Sequence, residues 1–156
     1  MKALIGIATG VMIMASPAAA AAPAKADKPA VEHFGSPTLN GQRLPFSRAV
    51  RVGHILYLSG AIGRGPDGKP PEGIEAQAKA TMDDIGETLK LAGLGYKDLF
   101  HCTVFLSDMK NWADFNKVYM TYFPDGPLPA RSAVGVNGLA LGAMLEIECQ
   151  AYAGKK

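Results

Sequence analysis

Between Leu145 and Tyr152 apolar and polar residues alternate without a break, Leu145, Ile147, Cys149 and Ala151 against Glu146, Glu148, Gln150 and Tyr152. A period of two is the period of a β-strand, with one side chain set on each face. Such a strand is stable only when its apolar side is covered, so the chain must build a sheet with at least one packed face. The same alternation points Glu146 and Glu148 the same way, about 7 Å apart along the strand. Just upstream, Pro129-Ala130-Arg131-Ser132-Ala133-Val134-Gly135-Val136 reads as a second strand, joined to the first by a Gly-rich turn. Pro129 fixes its own φ and stiffens the approach to Arg131. The two strands are expected to offer one arginine and two carboxylates to a common region. An arginine there can hold a substrate carboxylate while a neighbouring glutamate handles a proton or a water.

The rest of the chain supplies the cover. Phe46 to Ala61 reads as a β-hairpin with Gly53-His54 as its turn, and residues 63–73, rich in Gly, Pro and Asp, read as a loop. Ile74, Ala78, Met82 (or Thr81), Ile85, Leu89 and Ala92 recur at helical spacing, which predicts one amphipathic helix ending at Gly93 or Gly95. Phe100 to Leu106 predicts a strand. Asn111 is expected to cap a second helix carrying Trp112, Phe115, Val118, Tyr119 and Tyr122 or Phe123, stopped by Pro124-Asp125-Gly126-Pro127. The order ββαβαββ implies an α+β fold with two helices on one face of a mixed sheet.

The N-terminus reads separately. Met1-Lys2, an apolar run from Ala3 to Ala15, and the small residues Ser16 to Ala22 form the three-part pattern of a secretory signal, cleaved between Ala20 and Ala22. The apolar run is short of the roughly 20 residues a membrane span needs. Residues 1–22 are therefore expected as a cleaved signal peptide, 23–33 as a flexible Ala/Lys/Pro-rich leader and 34–154 as a single domain, so the mature protein is expected to be periplasmic or secreted and off the membrane. About 130 residues suffice for one compact core. Lys2 is the only charged residue before Lys25, so its removal takes the formal net charge from +2 to +1. Near-balanced charge disfavours nucleic acid as a partner.

Cys102 and Cys149 lie in separate predicted strands. Export permits a disulfide, but each cysteine sits among apolar residues, and unpaired core thiols are the expectation. His33, His54 and His101 are scattered, so no zinc site or other metal site is expected. Neither a Gly-x-Ser-x-Gly elbow nor a phosphate-binding Gly-Lys-Ser/Thr loop is present.

Several separated motifs resemble those of the RidA family (YjgF/YER057c/UK114). They are Pro45-Phe46-Ser47-Arg48-Ala49-Val50, Leu56-Tyr57-Leu58-Ser59-Gly60, Thr103-Val104-Phe105-Leu106, Asn116, Tyr119, and Arg131 followed by alternating valines, a turn and Leu145-Glu146-Ile147-Glu148. The likeness spans about 120 residues, the size of one ordinary domain. It implies a chorismate-mutase-like fold, a homotrimer with active sites in clefts between subunits, and hydrolysis of reactive enamine and imine acids to 2-oxo acids and ammonia without a cofactor. It further implies that Arg131 clamps the substrate carboxylate and Glu146 positions the attacking water. Phe46, Ser59, Asn116 and the backbone at Ala133 fall at the family's substrate-binding positions. Glu148 is expected to be structural.

The chain also departs from the family. Phe46 stands where a tyrosine is common, Ala61 where a glutamine often follows Ser-Gly, Ala133 where some members carry cysteine, and Ala140 where a proline is usual. Each change removes polar or rigid content at the pocket edge. The alternatives to an enamine/imine deaminase are a non-catalytic small-carboxylate-binding or holdase-type module and, by the family's naming history, a ribonuclease.

Overall fold

The structure is a computed structural model that describes residues 28–39 and 41–154. The expected signal peptide and most of the leader lie outside the described residues. The strands are β1 (Val31–Phe34), β2 (Thr38–Leu39), β3 (Gln42–Arg43), β4 (Ala49–Val52), β5 (Ile55–Leu58), β6 (Leu99–Leu106), β7 (Ala130–Gly135) and β8 (Leu145–Tyr152), with helices α1 (Ile74–Leu91) and α2 (Trp112–Met120). Six strands form one mixed sheet in the order β1-β4-β5-β8-β6-β7, antiparallel except for the parallel pair β6–β7; β2 and β3 pair separately.

Local chemistry accounts for most of these elements. Gly53 supplies the positive φ (60°) that closes the β4–β5 turn. In α1 the stripe Ile74, Ala78, Met82, Ile85 and Leu89 is buried, and it packs on the buried sides of β6 (Cys102, Val104, Leu106) and β8 (Leu145, Ile147, Ala151). Phe115 and Tyr119 of α2 join that core. Both helices thus cover one face of the sheet. The opposite face carries the exposed Tyr57, Val134 and Tyr152.

Three expectations change. Val31 to His33 do not belong to a flexible leader: with Phe34 they form β1, paired along β4 from Val31↔Val52 to Phe34↔Ala49, where they find backbone partners. Asn111 does not cap α2 with its side chain; it is already helical, and Asp108 caps the preceding 3-10 turn by accepting from Lys110 N. Finally, Cys102 and Cys149 are joined in a disulfide. They are direct partners across β6 and β8, with Cα atoms 4.1 Å apart and both side chains on the core face. That proximity comes from strand register, which neither cysteine's local sequence reveals.

Candidate active site

The strand pattern that suggested a common region for Arg131 and Glu146 distributes them differently in space. Across the sheet Arg131 is level with Cys102, which faces the helices, whereas Glu146 is level with Phe105 on the alternate face. Within one chain, therefore, Arg131 and Glu146 occupy opposite sides of the sheet, because neighbouring strands keep their side chains in phase row by row. The site residues fall into two groups.

The first group gathers at the edge strand β7 and the adjoining α2. Arg131 donates to Asn116 Oδ1 at 2.7 Å, and its guanidinium carbon lies 4.5 Å from the Tyr119 ring centre and 5.4 Å from that of Phe115. The guanidinium thus rests on an aromatic floor built by residues four apart on one helix face. Ala133, two residues on, points the same way. The ion pairs among the described residues are Arg48–Asp84, Arg51–Glu32, Lys79–Asp83 and Lys117–Asp114, so Arg131 faces no carboxylate there. Burial pushes the Tyr119 phenol up from its ordinary value, with the Arg131 charge opposing, and its hydroxyl finds no hydrogen-bond partner among the described residues. Phe115 and Tyr119 as a platform were not anticipated as site residues; their spacing around Asn116 was the signal available.

The second group surrounds a cavity of about 620 Å³ whose lining includes Phe46, Ser59, Gly60, Leu141 and Glu146. Glu146 is half-buried and lies against Gly60 so closely that a Cβ there would collide with its Oε1. Ser59 donates its hydroxyl hydrogen to the Ser47 carbonyl at 2.7 Å, leaving its oxygen lone pairs to accept. Phe46 is half-exposed over the opening. Glu148 lies apart, in a smaller hollow with Tyr57, His101 and Gln150. Among the described residues no three His, Cys, Asp or Glu side chains gather as a metal site would require.

The chemistry of the two groups is complementary. One offers an unneutralised, preoriented guanidinium fork suited to a carboxylate. The other offers a carboxylate and a hydroxyl oxygen suited to a water and to nitrogen protons.

The family described as Endoribonuclease L-PSP matches residues 40–153. The chain is 39% identical over 112 residues to the mouse protein 2-iminobutanoate/2-iminopropanoate deaminase, covering 70% of this chain and 82% of the relative. Its structure is similar to that of yeast Mmf1 (TM-score 0.72, 32% identity, 80% of this chain and 100% of the other). It is similar also to E. coli TdcF solved with bound serine (TM-score 0.71, 28% identity, 79% of this chain and 99% of the other).

Proposed function

Because the chain belongs to the RidA, or endoribonuclease L-PSP, family, we propose that it is a hydrolytic deaminase converting reactive 2-imino and enamine acids to 2-oxo acids and ammonia. The observation that carries this reading is the state of Arg131, oriented by an amide and two aromatic rings with no carboxylate paired to it among the described residues. Such a fork fits the carboxylate common to these substrates. The mouse relative's name specifies 2-imino acids, and the E. coli relative holds an amino acid.

In the proposed reaction Arg131 clamps the carboxylate and Glu146 holds a water against the C=N carbon. An enamine first tautomerises to the imine by protonation at carbon. Glu146 takes a proton as the water oxygen adds, then returns it to the nitrogen. Glu146 next takes the hydroxyl proton of the tetrahedral adduct and passes it to the nitrogen as the C–N bond breaks, so ammonia leaves and the carbonyl forms. Such substrates hydrolyse unaided, so positioning and a single proton carrier are sufficient. Ser59 accepts from the substrate nitrogen, Phe46 packs against the substrate, and the backbone at Ala133 supplies a further contact beside Arg131.

The opposite-face placement of Arg131 and Glu146 supports a site assembled between subunits. A homotrimer whose clefts pair the Arg131 group of one copy with the Glu146 group of the next would also cover the exposed Tyr57, Val134 and Tyr152. Residues 1–22 are proposed as a cleaved signal that places the protein in the periplasm or medium, a reading supported by the buried Cys102–Cys149 disulfide. The imines would then arise from extracytoplasmic amine or amino-acid oxidation. Fractionation that finds the mature protein in the cytoplasm would sink this part of the proposal. Near-balanced charge argues against an RNA substrate.

The test couples the mature protein to an amino-acid oxidase and follows semicarbazone formation from the released imine. Wild type is expected to divert imine from the trap and Arg131→Ala to lose about 100-fold or more of that activity. If neither protein diverts any imine, catalysis is excluded and carboxylate binding without turnover replaces it.

A further inference from the structure

In a single copy the Glu146 cavity is larger and more apolar than a three- or four-carbon imino acid requires. At about 620 Å³ it lies in the range that holds drug-sized ligands. Its buried wall includes Leu58, Ala61 and Ile85, and its exposed rim includes Phe46, Leu91 and Leu141. Ala61 is buried and small, so it leaves open the space a longer side chain would fill. Leu141 stands out twice: the residue is 63% exposed, and its backbone is left-handed at φ 59°. A leucine in that conformation costs free energy, and strain of this kind gathers where a site needs a side chain held in place. At the far end Arg48 is already spent on Asp84 (2.6 Å) and on the Thr88 hydroxyl (2.8 Å), so it adds no free charge. Among the described residues that line the cavity, the exposed Arg64 brings the one other cation.

We propose that Leu141, Phe46 and Ala61 form a side-chain subsite beside Glu146 that selects 2-imino acids with large apolar side chains, branched or aromatic, over short ones. The proposal rests on the deaminase reading for its substrate, yet the subsite makes its own prediction for ligand binding. The 2-oxo acid products share the carboxylate and the side chain and are stable, so they probe the cavity without catalysis. Burying the extra apolar atoms of a benzyl or isobutyl group in a fitted apolar pocket is worth at least about tenfold in affinity.

The experiment has two readouts on the full-length mature protein in its native assembly. Calorimetric titration compares phenylpyruvate and 4-methyl-2-oxopentanoate with pyruvate and 2-oxoglutarate. The imine-trap assay compares imines made from phenylalanine, leucine, alanine and glutamate. The expected result is about tenfold tighter binding of both apolar oxo acids than of pyruvate or 2-oxoglutarate, with the same order in kcat/KM. Leu141→Asn keeps a residue that tolerates the left-handed backbone, and it should reduce the phenylalanine-to-alanine ratio of kcat/KM about tenfold. A smaller preference in the titration overturns the subsite. So does tightest binding of 2-oxoglutarate, which would make Arg64 the selecting group. Turnover of no imine at all, with the binding order intact, would instead overturn the deaminase reading and leave the subsite standing.

Discussion

A guanidinium bonded to the Asn116 amide and stacked over Phe115 and Tyr119 keeps its whole charge, because none of these partners is anionic. Their attraction fixes its direction, worth about 0.5–2 kcal/mol for the ring contacts, while leaving its remaining donors for a ligand. Glu146 is positioned in another way, by the lack of a side chain opposite. Its carboxylate lies against Gly60, and any β-carbon there forces it aside. Gly60→Ala should therefore displace the Glu146 carboxylate and, on the proposed mechanism, lower kcat/KM for imines about 100-fold, the cost expected of a misplacement near 1 Å. Gly60 is exposed, so the melting temperature should hardly move. Full activity in a folded Gly60→Ala protein would show that Glu146 does not act from this position.

Among the elements, β6 and β8 make the joint on which the rest depends. They are the two eight-residue strands, paired along almost their whole length. The Cys102–Cys149 disulfide ties them where they face each other, closing a loop with a sequence separation of 47. A loop of that length restricts the unfolded chain enough to stabilise the fold by about 2–4 kcal/mol. The double variant Cys102→Ala/Cys149→Ala should melt lower by about 10 °C, and a reducing agent should lower the melting temperature of wild type but not of the variant. Identical melting curves would mean that packing alone holds this joint. The helices were legible in the chain at this scale, since the α1 stripe from Ile74 to Leu89 is buried as its spacing predicts. The start of α2 was less so, because the cap comes from Asp108 on a 3-10 turn and the best local candidate, Asn111, is already inside the helical path.

For the whole molecule the decisive fact is that Arg131 and Glu146 lie on opposite sides of the sheet. A heterologous cyclic interface would bring Arg131 of one copy to Glu146 of the next, and that arrangement has a direct test. Arg131→Ala and Glu146→Gln proteins, each expected to be inactive alone, are mixed under conditions that exchange subunits of the proposed trimer. Each site then needs an intact arginine and an intact glutamate from different copies, so random exchange should restore about a quarter of wild-type activity. No recovery, with exchange verified by mass spectrometry, would place both groups in one subunit's site or remove one of them from the reaction.

The chain's own periodicities determined the α+β class, the helix faces, the alternation that separates Ile147 from Glu146, and the motifs that mark the family. Each of these depends on neighbours within a few residues, where the geometry of helix and strand is fixed. Three features were decided only by tertiary structure: that Cys102 meets Cys149, that Val31 to His33 pair with β4, and that Arg131 and Glu146 point to opposite sides of the sheet. All three follow from register between strands distant in sequence, and a shift of one residue would reverse which side chains share a face.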